Sequence, residues 1–462
     1  MKSLGNAVSY FALSACLLTV EVYSLSVNPE STPPVVISRL LLLGVVLLHL
    51  ALNLCSRRPS FPDASILTFE ILFVTIAPAL QLAADSKMLV NTRPYDDAYV
   101  LQANLIYTAF IISYLTSRFL LAFDFSTKIF HSRPRLKLRY FSLIPALTAC
   151  TIAAVSAFSF AQNSQPPYAE MADITPLDMI RGKFFFFLIV PVFIVIVSHR
   201  PQRIGPLWIM LALFAFALLC LCENPLTEKR NALGPIYLTL VFLCLRTWLE
   251  TAPRTFWSIF LLSGLFFPIA ELFTHTKVED WSMATSSAKS FYEQHFTSIS
   301  YDAWANTVAV VEIVNAEGFY WGKQVAGAIL FFVPHTVWSD KPLSTGILIG
   351  EFLSGNYSMW FVNLSAPLPA EGYLDFGWAG VVLYGVLLGS VSRCIDALLD
   401  SSPLWRAMGL YLSFYMVFLL RGALMVAVAY VVPVLLTFYL VSVLLVSREK
   451  KVENGDRANM PV

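Results

Sequence analysis

The chain has 462 residues, of which 57% are hydrophobic and only 13% charged, with a mean hydropathy of +0.67. Soluble domains carry roughly 25% charged residues, so this composition excludes an ordinary globular protein and points to a polytopic membrane protein. The formal net charge of +1, with no basic domain standing out, argues against nucleic acid as a partner.

After Lys2 an apolar run extends to about Val27. It is long for a signal-peptide core and no small-x-small cleavage site follows, so it is expected to be the first membrane helix. Counting that run as 7–27, further runs follow at 36–54, 64–84, 98–123, 140–161, 183–198, 204–222, 232–249, 255–273, 377–392, 405–420 and 423–446. The expected fold is therefore all-α, with about twelve transmembrane helices crossing an apolar core of about 30 Å. The seven cysteines lie mostly inside these runs and read as small buried hydrophobes. Cys220 and Cys222 form a C-x-C without a histidine or third cysteine nearby, which favours packing over a metal site.

Charge sets the expected orientation. With a cytoplasmic N-terminus, the inner loops carry Arg57 and Arg58, then the cluster from Lys128 to Arg139, Arg200 and Arg203, Arg246 and Arg254, and Arg393 and Arg406. The tail adds Arg448, Lys450, Lys451 and Arg457. Every even-numbered loop is basic, as the positive-inside rule requires. Both termini are expected inside and residues 274–376 outside. The organisation is then a nine-helix region over 1–273, a large extracytoplasmic loop over 274–376, three helices over 377–447 and a polar, disordered tail over 448–462. The Lys128–Arg139 cluster reads as a contact for anionic lipid headgroups.

The large loop has elements of its own. Residues 301–317 read as an amphipathic helix with Asp302 as N-cap, Trp304, Val308, Val311 and Val314 on one face, and Gly318 as the stop. Glu312 and Glu317 favour an interfacial helix lying over the bundle. Residues 324–337 and 343–369 suit re-entrant or surface-docked pieces. Residues 162–182 read as irregular outer loop. No internal repeat is visible, so the inverted-repeat pattern of many transporters is missing. Glu21, Glu70 and Glu271 fall within or at the ends of apolar runs and are functional candidates by position. His49 and His199 fall on the inner half.

One stretch carries a likeness. It includes Trp338-Ser339-Asp340-Lys341-Pro342, then Pro369-Ala370-Glu371-Gly372-Tyr373-Leu374-Asp375-Phe376-Gly377-Trp378 leading into a membrane helix, with a late Arg421-Gly422 between the final helices. Across Trp304 to about Gly389 the chain resembles the Wzy-type oligosaccharide repeat-unit polymerases of bacterial O-antigen and capsule synthesis. The resemblance implies an architecture similar to the multi-helix glycosyltransferases that use lipid-linked sugars, described as GT-C-like, in the bacterial plasma (inner) membrane. It implies that a growing glycan on undecaprenyl diphosphate is moved onto an incoming lipid-linked repeat unit. The implied partners are undecaprenyl-diphosphate-linked oligosaccharides, membrane lipids and a chain-length-regulating co-polymerase.

Such a reaction needs a general base for the acceptor hydroxyl and cations for the departing diphosphate. The sequence has no D-x-D motif or acid–histidine cluster in an outer loop, so no metal or other cofactor is expected. Arginine can take the metal's place through its fixed fork. The cation candidates are Arg421, Arg181, Lys341 and, if protonated, His335. Arg421 stands out, because a charge between two apolar runs costs about 2.5–3.5 kcal/mol on insertion scales and calls for an anionic partner. A snorkelling helix-end arginine is the competing reading, and Lys341 can instead pair with Asp340. The base candidates are Glu371, Asp340 and Asp375, of which Asp375 is better placed to cap the next helix. Trp338, Tyr373 and Trp378, with Trp321 and Tyr320, can stack on sugars or belong to the aromatic belt. The rival readings are an O-antigen-type ligase, a transporter or lipid flippase, and a non-catalytic assembly factor.

Overall fold

The computed structural model describes residues 2–27, 31–56, 58–84, 95–120, 136–138, 143–163, 184–198, 204–225, 230–245, 248–266, 295–334 and 336–448. The chain divides into two compact units. The first comprises 1–123, 229–396 and 410–430, and the second 124–228, 397–409 and 431–462. Apart from an antiparallel pair in the second unit, β1 (Leu136–Leu138) with β2 (Val446–Arg448), the described elements are helices.

Among the described residues, seven helices are long and apolar enough to cross a membrane. They are α1 (Lys2–Val27), α2 (Pro33–Cys55), α3 (Phe61–Ala83), α4 (Asp97–Leu120), α13 (Leu368–Leu399), α14 (Pro403–Arg421) and α15 (Leu424–Leu444). Large apolar side chains such as Phe11, Ile37, Leu383 and Leu444 point outward, the inverse of a soluble protein. The chain is thus a multi-pass membrane protein. Of the twelve runs expected, the remaining five coincide with helices whose apolar stretches are shorter: α5 (Leu143–Asn163, apolar over Leu143–Ser159), α6 (Phe184–Ser198), α7 (Pro206–Cys222), α8 (Arg230–Cys244) and α9 (Ala252–Leu261) with the π-turn Leu262–Phe266 after it.

In the first unit α4 runs beside both α2 and α13. Glycine sets the second contact. A Cβ on Gly385 would lie 2.7 Å from the Phe110 carbonyl oxygen, and one on Gly389 would lie 2.8 Å from the Ser117 Cβ. This small-xxx-small spacing lets the two backbones approach closely, which is how membrane helices associate without a hydrophobic drive. Ser117 Oγ donates to the Val386 carbonyl at 2.8 Å across the same seam. Among the described residues, π-helical segments occur in α3 over Glu70–Ile76, at the end of α4 over Thr116–Leu120 and after α9 over Leu262–Phe266.

The 301–317 segment corrects an expectation. It forms α10 (Ala303–Glu317), ended by Gly318 at φ 87° as foreseen, but it is not an interfacial helix. Residues 303 to 311 are buried in succession, so no polar face remains there. Two of its side chains find partners inside instead: Trp304 Nε1 donates to Asn104 Oδ1 at 2.9 Å and Thr307 Oγ1 meets the Tyr107 hydroxyl at 3.1 Å, both on α4. A polar residue in such a helix reads as solvent-facing until the partner helix is known.

After α11 (Lys323–Ile329) come α12 (Thr345–Tyr357) and an extended return to α13. Gly346 and Gly350 share a face of α12, where a Cβ would fall 2.1 Å from the Leu364 carbonyl oxygen and 2.0 Å from that of Val362. Only glycine lets the returning chain lie so close. The helix α13 is itself two helices joined at a kink, with Phe376 at φ −138° and Gly377 at φ 60°. The helix expected to start at 377 therefore starts on the far side of this turn.

In the second unit, Phe193 and Phe216 pack α6 against α7 at 5.8 Å between ring centroids. Cys222 is buried and Cys220 half-buried, and among the described residues no group of three metal-ligating side chains forms.

Candidate functional site

Arg421 is the last residue of α14, where a cation complements the helix dipole. Its Nη2 donates to the Ile299 carbonyl and to Asp302 Oδ1, both at 3.2 Å. The anionic partner that a charge at this depth calls for is therefore Asp302. Asp302 sits at the head of α10 as expected of an N-cap, yet its side chain makes no cap bond. The carboxylate is engaged elsewhere: it accepts from Ser365 N at 3.0 Å, Ser365 Oγ at 2.6 Å and Asn306 Nδ2 at 3.0 Å. It is 1% exposed, so this set of donors fixes its orientation and, through it, that of Arg421. Arg421 remains open. Its side chain is 33% exposed and its Nε has no partner.

Two residues past Arg421 the chain turns into α15, and Glu371 holds that start. Glu371 Oε1 accepts from Leu424 N at 3.0 Å, and the Thr345 side chain bonds the same carboxylate. Glu371 Oε2 is buried without a partner, as is Asn306 Oδ1 beside Asp302. An arginine N–H, a carboxylate oxygen and an amide oxygen are thus left unbonded around one joint between two helices. Buried polar atoms are nearly always satisfied, so three exceptions near one joint call for an explanation.

The other residues of the Glu371–Gly377 motif fix the turn. Asp375 accepts from Gln324 N at 3.1 Å and Val325 N at 2.9 Å, so it caps α11 and not the following helix. The reason is local: α11 begins after Gly322 at φ 83°, a residue with no side chain to cap with. Phe376 packs on Gly322, where a Cβ would lie 2.7 Å from its ring, and a Cβ on Gly377 would lie 3.0 Å from the Phe319 ring. The Tyr373 hydroxyl bonds the Gln102 amide, and its ring meets Phe319 and Trp378 edge-on at 5.8 Å each.

The remaining candidates separate from this joint. Asp340 is exposed and pairs with Lys323 at 3.0 Å, not with Lys341. Lys341 Nζ instead donates to the carbonyls of Phe331 and Val333 at 2.7 and 2.9 Å, closing the proline turn, and partial burial lowers its pKa. Among the aromatics, Tyr373 is buried, Trp338 half-buried, and Trp378 and Trp321 are exposed. Arg181, His335, Glu271, His199 and Lys128 lie outside the described residues. Sequence reasoning missed Asn306, Thr345 and Ser365, and assigned Asp302 to capping alone. The Asp302–Asn306 spacing of four was the available signal, since it puts both on one helix face.

No family description, curated protein or solved structure matches the chain. The chemistry at the α14–α15 joint therefore carries the functional reading.

Proposed function

We propose that this protein is a metal-independent glycosyltransferase that polymerises undecaprenyl-diphosphate-linked oligosaccharide repeat units at the outer face of a bacterial plasma membrane. The observation that carries the reading is Arg421: a guanidinium at a helix joint, a third exposed, steered by a buried carboxylate and left with an unbonded N–H at Nε. That arrangement suits a phosphate oxygen, which an arginine fork engages directly. In this reading the lipid diphosphate of the donor glycan binds Arg421. The acceptor sugar's hydroxyl gives its proton to Glu371 Oε2 and attacks the anomeric carbon. The carbon–oxygen bond to the diphosphate breaks, and the leaving group departs with the electron pair. Arg181 and Lys341 are further candidates for the diphosphate, and Trp338 and Trp378 for sugar stacking. The reading places about twelve helices in the membrane, both termini in the cytoplasm and the 274–376 region outside, with a chain-length regulator as an expected partner.

The test is gel analysis of surface glycan from a deletion strain complemented with wild type or Arg421→Ala at matched membrane levels. A ladder with wild type and single-repeat glycan with the variant is the expected result. Loss of all surface glycan in the deletion strain, the single-repeat form included, would point to a ligase or flippase instead. An unchanged ladder in the deletion strain would overturn the reading.

A further inference from the structure

The first unit holds a second group of buried ionisable side chains, at the other end of α13 from Glu371. Arg118, in the π-helical end of α4, donates from Nε to Asp63 Oδ1 at 2.8 Å and from Nη2 to Asp63 Oδ2 at 3.1 Å. The same Nη2 reaches Ser60 Oγ at 3.1 Å and pairs with Asp396 on α13. The Tyr114 hydroxyl also donates to Asp63. Tyr114 lies 5.5 Å, ring to ring, from His49 on α2, and His49 Nδ1 is 2.8 Å from Glu70 Oε2 in the π-helical segment of α3. The charged groups acting on His49 are Glu70, Asp63 and Arg118. Arg393, the remaining cation nearby, donates to the Arg118 carbonyl at 2.8 and 3.0 Å.

Charge does not balance here. Asp63, Asp396 and Glu70 are three carboxylates against the two arginines Arg118 and Arg393, so one negative charge is left over unless the group binds a proton. An uncompensated buried ion costs several kcal/mol, and such groups take up a proton instead. Two further observations point the same way. His49 Nε2 is fully buried and has no partner, leaving the imidazole with an open end inside the cluster. And both departures from α geometry in these helices fall on cluster residues, Glu70 and Arg118, where π-turns commonly mark functional positions. Exposure within the group is greatest at Asp396. The Asp396 side chain is 28% exposed, against 12% for Arg118, 4% for Asp63 and 0% for His49.

We propose that Asp396, Asp63, Tyr114, His49 and Glu70 form a proton-binding site within the membrane-spanning bundle, loaded from water at Asp396. The proton is held at Asp396, which shares Arg118 with Asp63, or between His49 and Glu70. It is taken from a solvent acid, and no other bond is made or broken. Intramembrane ionisable chains of this kind serve proton uptake and relay.

The test is pH-difference infrared spectroscopy of the full-length protein in lipid nanodiscs, between about pH 4 and 9 so as to span ordinary carboxyl and imidazole values. A protonated-carboxyl band that titrates in wild type, disappears in Asp396→Asn and changes its midpoint in His49→Gln is expected. Asp340→Asn, an exposed carboxylate outside the cluster, should leave the band unchanged. If Asp396→Asn does not assemble, Asp396→Glu keeps the carboxyl and must shift the band. Absence of a titrating carboxyl band in wild type overturns the proposal, as does a band unmoved by every Asp396 variant. The spectrum does not depend on glycan synthesis, so it fails or succeeds independently of the polymerase reading.

Discussion

Arg118 and Arg421 are both arginines at the ends of membrane helices, and they are held in opposite ways. Arg118 is enclosed, 12% exposed, with two carboxylates and a serine around its guanidinium. Arg421 is 33% exposed, has one carboxylate and one carbonyl, and keeps a free Nε. Around Arg118 the acids outnumber the cations, so what is missing is positive charge and a proton can supply it. Arg421 has one carboxylate partner and one unbonded N–H, so what this guanidinium lacks is an acceptor such as a phosphate oxygen. Which partner is lacking, more than the residue type, decides what each end of the unit can bind.

Removing the cations tests this contrast most strongly. Arg118→Ala leaves Asp63 and Asp396 buried without compensation, a loss of roughly 3–5 kcal/mol. It should appear as a collapse in monodisperse yield from detergent. Arg421→Ala takes the cation from the buried Asp302, which keeps three donors from Ser365 and Asn306, and should cost less, about 1–3 kcal/mol in thermal unfolding, while lowering polymer formation by about 100-fold or more. Equal folding defects in the two variants would erase the distinction.

Glycine packing along α13 comes next. Gly385→Leu places side-chain atoms within the α4 backbone and should destabilise by about 3 kcal/mol or more, read as a drop in midpoint temperature. Gly355, which has open space around it, should accept alanine with little change.

Glu371 sharpens the reading of the joint. Glu371→Gln keeps an oxygen to accept from Leu424 N, so stability should change by about 1 kcal/mol or less, while glycan transfer falls by about 100-fold or more if the free oxygen is the base. Glu371→Ala should lose both. A fully active Glu371→Gln protein would reassign that carboxylate to helix capping alone.

The smallest effects separate two acids of the motif region. Asp375→Ala removes the acceptor for two N–H groups of α11 and should cost about 1–2 kcal/mol, seen as faster proteolysis near that helix. Asp340→Ala breaks an exposed ion pair with Lys323 and should change stability by about 0.5 kcal/mol or less.

How much of this was readable beforehand differs by residue. Gly318 as a helix stop and a partner for Arg421 followed from local rules, because a left-handed cap and a charge at a membrane edge are constraints on a single position. The end of α10 and the Arg421–Asp302 pair agree with both. The burial of α10 ran against the expected amphipathic face, because Asn306, Thr307 and Trp304 have partners two hundred residues back in α4 or sixty residues on in the returning chain. Asp375 looked like a cap and is one, but for a helix fifty residues upstream.

The sequence by itself determined that the chain lives in a membrane and where its apolar helices lie, since the cost of transferring side chains from water is set residue by residue. Only the tertiary structure decided which buried charges meet, which arginine is enclosed and which is open, and which turn the Glu371–Gly377 motif forms. Those outcomes rest on contacts between residues far apart in the chain, and hydrogen-bond geometry at that range is not written in any local window.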